Sequence, residues 1–192
     1  HSVIICKDKD KFNYREARKK LDSSLKKNYY WHGREWAYKN VSPCIIAEKY
    51  MSDNDRTSEL TDYKFYCFGE YVDSVMLCID RDIGDPKFYF FDKNWELRRY
   101  NLRGKEAPKG FTLPKPPRMN EMFELASKLS SFTKAPFVRV DLYNVNGQPY
   151  FGELTFSPNN GLDPNRLYET DLYFGKLTDL GVIQNENNGI ID

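Results

Sequence analysis

Apolar positions in the first third of the chain come in short bursts separated by charge. Ser2–Cys6 and Pro43–Met51 read as strands, the second ending in a charged edge. Between them Ala17, Leu21 and Leu25 recur on one face, which predicts a helix over Tyr14–Lys27. Asn13 is its expected cap, and Glu16 three residues later completes a capping box. Tyr29–Trp31 and Arg34–Lys39 form an aromatic, loop-like region, and Ser52–Ser58 is polar and turn-like.

The middle and last thirds carry clearer periods. Asp62–Phe68 alternates and predicts a strand, and Gly69-Glu70 turns it into a second over Tyr71–Asp80. Lys87–Phe91 and Trp95–Arg99 suggest a hairpin around Asp92-Lys93-Asn94. Residues 101–117, rich in proline, predict a loop with little structure. A helix is expected over Asn120–Phe132, packed through Phe123, Ala126 and Leu129, and another over Leu167–Leu180. The sum is α+β: antiparallel sheets with packed helices.

Phe137–Tyr143 and Tyr150–Pro158 flank Asn146-Gly147, the strongest short-range hairpin signal. An arginine and two acids, Arg139, Asp141 and Glu153, sit inside these runs, where charge is costly unless paired or bound to metal. The turn decides what they do. A two-residue turn pairs Val145 with Gln148 and sends Asp141 and Glu153 to opposite faces. A three-residue Val145-Asn146-Gly147 bulged turn pairs Asn144 with Gln148 and sets Glu153 opposite Arg139. Only that register gathers Arg139, Asp141, Glu153 and Thr155 on one face, so it is the register expected here.

Composition narrows the setting. The 192 residues suffice for one core or two lobes, and the net charge of +1 gives no global field for nucleic acid. The four cysteines show no zinc spacing, and Cys44, Cys67 and Cys78 lie in apolar runs, so reduced core thiols in a cytoplasmic protein are expected. No apolar run is long enough to span a membrane. The chain opens at His1 rather than Met and runs straight into a strand-like segment, which reads as a cut through a larger protein.

Asp141 and Glu153 are hard oxygen donors suited to Mg²⁺, Thr155 adds a neutral oxygen, and Arg139 beside them suits a phosphoryl group. A plain Arg139–Glu153 cross-strand ion pair is the alternative. Ile45–Met51 sets Glu48, Lys49, Tyr50 and Met51 where a strand meets a loop. An adenine would use that backbone, with Lys49 near a ring nitrogen; a charged, soluble edge explains it too. Lys64 shares a face with Asp62 and Tyr66 and suits phosphate or carboxylate, or simply a solvated strand face. His32 reads as structural or exposed. Arg34, Trp36 and Tyr38 suit a sugar-like acceptor.

In order along the chain, Arg34–Asn40, Ile46–Tyr50, Asp62–Phe68, Phe137–Tyr143 and Gly152–Phe156 resemble the ATP-grasp superfamily, and within it the TupA-like branch linked to teichuronopeptide and cell-surface polysaccharide synthesis. The resemblance implies an ATP-grasp-like fold with its N-terminal part truncated. Residues 1–50 would be the remnant of a first lobe, and 51–192 a second lobe with the metal and phosphate site. It implies ATP and Mg²⁺, with Asp141, Glu153 and Thr155 on metal. Thr155 stands where the superfamily usually has asparagine. Arg139 and Lys64 would be catalytic, and Glu48, Lys49, Tyr50, Met51 and Asp62 would hold the nucleotide. The implied reaction joins a carboxylate to an amine through an acyl phosphate, on a small-molecule or saccharide-precursor substrate. The glycine-rich phosphate loop would precede residue 1, so this chain alone is expected to be weak or inactive. Two further readings stand beside it: a glycosyltransferase using Asp80-Arg81-Asp82 as a metal motif, and a non-catalytic carbohydrate-binding module.

Overall fold

The computed structural model describes residues 3–51, 60–80 and 84–181. Its framework is one antiparallel sheet: β1 (Asp62–Phe68), β2 (Tyr71–Ile79), β3 (Lys87–Phe91), β4 (Leu97–Arg98), β5 (Val138–Val145) and β6 (Gln148–Thr155). The spatial order is β4-β3-β2-β1-β5-β6. Four strands follow one another as a meander, and the β5–β6 hairpin returns to the free edge of β1. That return places chain segments some seventy residues apart side by side in the centre of the sheet, with Lys64 opposite Asp141 and Tyr66 opposite Arg139.

The two faces are built differently. Phe65, Cys67, Val75, Leu77, Phe91, Val138, Val140 and Leu142 point to one face and meet helix α4 (Met119–Thr133). Met119, Met122, Phe123, Ala126 and Ser130 are its buried positions, spaced three, one, three and four apart, as one stripe of a helix requires. Phe65 and Phe123 meet edge to face with centroids 5.0 Å apart. On the other face helix α5 (Tyr168–Leu177) covers only part of the sheet, where Phe174 packs among Tyr66, Phe68, Phe90 and Tyr100. The rest of that face carries the charges.

The N-terminal third departs from the pattern read in the sequence. Helix α1 (Tyr14–Leu25) forms as expected, and Asn13 Oδ1 accepts from the Glu16 amide at 3.1 Å. Glu16 answers through the side chain, accepting from Asn13 Nδ2 at 3.3 Å rather than from the backbone. Val3–Cys6 and Pro43–Met51, however, are irregular and form no strand. Apolar alternation makes a strand only where another strand completes the ladder. Here Ile45 and Ile46 stay exposed, Ile46 at 76 %. A short helix α2 (Tyr30–Gly33) and a turn of 3-10 helix at Trp36–Tyr38 follow α1.

Two smaller corrections concern loops. Residues 101–117 include helix α3 (Leu102–Glu106), started by Asn101 Oδ1, which accepts from the Gly104 amide at 2.8 Å. Cys67 and Cys78 are buried as expected, but Cys44 is exposed. The polar turn at 52–58 and the 81–82 part of Asp80-Arg81-Asp82 lie outside the described residues, as does the His32 side chain.

Candidate active site on the charged face of the sheet

The hairpin turn is the two-residue one. Val145 pairs with Gln148, and Asn146 and Gly147 both take positive φ, 52° and 77°, as a type I′ turn requires. By the register read from the sequence this should separate Asp141 from Glu153. It does not, because the extra residue lies further along: Leu142 pairs with Phe151 while Asp141 pairs with Glu153, leaving Gly152 as a bulge. A Cβ on Gly152 would lie 3.0 Å from both the Asp141 carbonyl oxygen and a Tyr143 ring carbon, so a residue without one fits there. The bulge flips the strand by one residue and returns Glu153 and Thr155 to the face of Arg139 and Asp141. Glu153 stands opposite Asp141, and Thr155, not Glu153, stands opposite Arg139.

Alternation along three strands, β1, β5 and β6, therefore ends in a single charged row. Asp141 is 3 % exposed and lies at its centre. Its Oδ1 accepts from Arg139 Nε at 2.7 Å, and its Oδ2 from Arg139 Nη2 at 2.8 Å and from Lys64 Nζ at 2.5 Å. Lys64 reaches Asp62 at 3.4 Å as well, and Arg139 Nη2 also donates to Thr155 Oγ1 at 3.0 Å. Two cations bridging buried carboxylates meet the requirement that buried charge be paired. The row still has three carboxylates against two cations. The surplus sits on Glu153, whose side chain is 65 % exposed and whose nearest cation is Arg139 at 3.5 Å. Partial withdrawal of its carboxyl from water, then the Asp141 carboxylate opposite, raise the Glu153 pKa against the pull of Arg139 and Lys64.

Further residues close the row, one from β5 and others from the α2 segment. Tyr143 donates to Asp62; burial, and then the charge of Asp62, hold its phenol above the ordinary value. From the α2 segment, buried Glu35 accepts from Tyr29 at 3.1 Å. Tyr38 is raised by burial and by Glu35, with Glu153 also raising it and Arg139 opposing, which sets this aromatic segment near the row. Arg34 stacks 4.7 Å from the Trp31 ring and Lys39 4.3 Å from Trp36. Beside the row, α5, Trp36 and the Pro158–Gly161 turn line an open cleft of about 330 Å³.

The sequence-read residues thus divide. Asp62, Lys64, Arg139, Asp141, Glu153 and Thr155 come together. Glu48, Lys49 and Tyr50 are exposed and Met51 half-buried in irregular chain, where Lys7 Nζ lies 5.6 Å from the Tyr50 ring. Asp80 is engaged by Lys87 at 2.7 Å. Among the described residues no three His, Cys, Asp or Glu side chains converge on a metal. Tyr143, through Asp62, and Gly152, through the bulge, join the row without standing among the residues expected from the sequence. Of the two, only Gly152 left a signal in the sequence, a glycine inside a strand run.

The profile of the TupA-like ATP-grasp family matches residues 1–178, which include all of this row. The chain belongs to the TupA-like ATP-grasp family. Comparison with curated proteins and with solved structures gave no match. The α+β architecture agrees with the ATP-grasp assignment, and membership points to an enzyme that handles ATP. In this ATP-grasp chain the Arg-x-Asp and Glu-x-Thr elements are the two strands that the Gly152 bulge brings into register. Among the described residues no helix is long and apolar enough to cross a membrane.

Proposed function

We propose that this chain carries the metal and phosphate site of an ATP- and Mg²⁺-dependent carboxylate–amine ligase of cell-surface polysaccharide or teichuronopeptide synthesis, working in the cytoplasm. The observation that carries the reading is the charged row: an exposed carboxylate in electrostatic excess, held opposite a buried carboxylate already neutralised by Arg139 and Lys64. The donor set fits Mg²⁺, which takes one or two carboxylates and completes its shell with phosphate oxygens and water. Glu153 would hold it, with Asp141 behind and Thr155 Oγ1 beside them. Bound there, Mg²⁺ would offset charge on the phosphates.

The chain's own groups have separate tasks. Arg139 presents a fork fixed by Asp141 and Thr155, so its remaining N–H groups meet a phosphoryl oxygen with little ordering cost. Lys64, one bond from Asp141, is the second cation near the transferred group. In the proposed reaction a substrate carboxylate oxygen attacks the γ-phosphorus of ATP and ADP leaves. The amine nitrogen then attacks the acyl carbon, phosphate departs with the C–O bond electrons, and the nitrogen loses a proton. Residues 1–50 as a first lobe, 51–192 as a second, and Glu48–Met51 with Asp62 at the nucleotide are part of the same proposal, supported by the family match.

Thermal-shift measurements with Mg·ATP and with a Mg·UDP-sugar separate this from the glycosyltransferase reading. Stabilisation by Mg·ATP alone is expected. Stabilisation by the nucleotide sugar alone would overturn the ligase assignment.

A further inference from the structure

One member of the charged row has no task in the proposed reaction. Tyr143 stands two residues after Asp141 on β5, so alternation puts its side chain on the face of Arg139 and Asp141. The β1–β5 ladder pairs Tyr66 with Arg139, Lys64 with Asp141 and Tyr63 with Leu142. One step further along the same register Tyr143 comes opposite Asp62, and its phenol donates to that carboxylate. The ring itself rests against the bulge, since one of its carbons lies 3.0 Å from where a Cβ on Gly152 would be. A half-buried ring wedged in this way keeps its donor aimed at one acceptor.

What Asp62 does with that hydrogen bond follows from its cation. Asp62 is 6 % exposed and Asp141 3 %. Lys64, its own side chain 11 % exposed, lies between them, 3.4 Å from Asp62 and 2.5 Å from Asp141. The two carboxylates are unequally placed. Asp141 already accepts two hydrogen bonds from Arg139, and in the ligase reading it stands behind the Mg²⁺ ligand. Any cation that draws on Asp141 competes with Lys64 for the same oxygens, and Asp62 is then the carboxylate that keeps the ammonium in the row. A carboxylate turns about its side-chain bonds unless a partner fixes it, and the phenol is such a partner. Burial, and then the charge of Asp62, hold that phenol above its ordinary value, so it stays a neutral donor throughout the neutral range. Its influence therefore runs through Asp62 to Lys64.

We infer that Tyr143 is a positioning residue: by fixing the Asp62 carboxylate it holds the Lys64 ammonium in place within the row. Asp62 then acts at the nucleotide through Lys64. The consequence for nucleotide binding rests on the ligase reading; the positioning of Lys64 does not.

Two measurements test it. Competitive acylation with trace acetic anhydride, read by mass spectrometry, follows Lys64 against the exposed Lys93 in one sample. Calorimetry follows Mg·ATP binding. Tyr143→Phe keeps the ring and removes only the donor. It should speed acylation of Lys64 relative to Lys93 about fivefold and weaken Mg·ATP binding about tenfold, the scale of one hydrogen bond to a charged group. Asp62→Asn should do the same, and it carries the test if Tyr143→Phe fails to fold. In a Lys64→Gln background, Tyr143→Phe should change Mg·ATP affinity less than about twofold, because changes that act through one group do not add. Unchanged acylation of Lys64 in both variants would overturn the proposal. So would an equal loss of Mg·ATP affinity with and without Lys64, which is what a merely structural role gives. Faster acylation with no change in Mg·ATP binding would uphold the positioning and count against the ligase reading alone.

Discussion

Gly152→Ala is the smallest change that addresses how the charged row is assembled. The new Cβ would lie 3.0 Å from the Asp141 carbonyl oxygen and 3.0 Å from the Tyr143 ring, about 0.4 Å inside the 3.4 Å where ordinary contact begins. The ring edge can swing away, but the carbonyl belongs to a central strand paired on both sides. Overpacking of this kind costs about 1–3 kcal/mol. Alanine returns about 0.5–1 kcal/mol by restricting the unfolded chain. The central values leave a net loss of about 1 kcal/mol, or a Tm lower by about 2–4 °C for a chain of this size. Chemical denaturation measures the first and calorimetry the second. Because the strain falls between Asp141 and Glu153, Mg·ATP affinity should drop at least tenfold in the same variant. Gly175→Ala is the control. It lies within α5, with nothing within 4 Å of a built Cβ, so it should stabilise the protein by about 0.5–1 kcal/mol. Full stability and unchanged nucleotide affinity in Gly152→Ala would refute the bulge argument.

Other expectations follow from the same structure. Asp73 is a buried carboxylate accepting from Tyr173 at 2.7 Å and Tyr100 at 3.3 Å, so it ties α5 and the β4–α3 connection to the sheet. Asp73→Ala should cost about 2–4 kcal/mol in denaturant unfolding, because three phenols, Tyr71 at 3.5 Å included, lose a charged acceptor; a loss below about 0.5 kcal/mol would refute that role. Burial, then the nearby Asp73 charge, push the Tyr100 phenol up to about 12, and Tyr173 and Tyr143 are raised as well. A raised phenol contributes stability in full below pH 10 and loses it as pH climbs towards 12, since the unfolded chain releases its protons first. Absorbance at the phenolate band should therefore show these tyrosines titrating late and together with unfolding. Thiol reagents should modify Cys44 at once and leave Cys67, buried and pushed to about 12, untouched until the protein unfolds.

What the sequence disclosed follows from where the physics is local. β1 and α4 announce themselves by period, because each buries one face and alternation or a helical stripe is the direct trace of that. The Asn146-Gly147 turn is legible because positive φ at both positions favours those residue types. The bulge at Gly152 was misplaced into the turn because both positions give the same face for Glu153, and only cross-strand contact with Asp141 and Tyr143 separates them. Pro43–Met51 carries a strand's pattern without a strand's partner, and pairing is not a local property. Tyr143 reads as one more aromatic of a strand; its meaning comes from Asp62, on a strand distant in sequence.

The central claim is that Glu153, set opposite Asp141, makes nucleotide binding depend on Mg²⁺. Calorimetric titration of ATP with and without Mg²⁺, on the unaltered chain and on Glu153→Gln, tests it most directly. The account expects Mg²⁺ to tighten ATP binding at least tenfold in the unaltered chain and to have almost no effect in Glu153→Gln, whose fold stays intact because that side chain is largely exposed. An equal Mg²⁺ dependence in both proteins would contradict it.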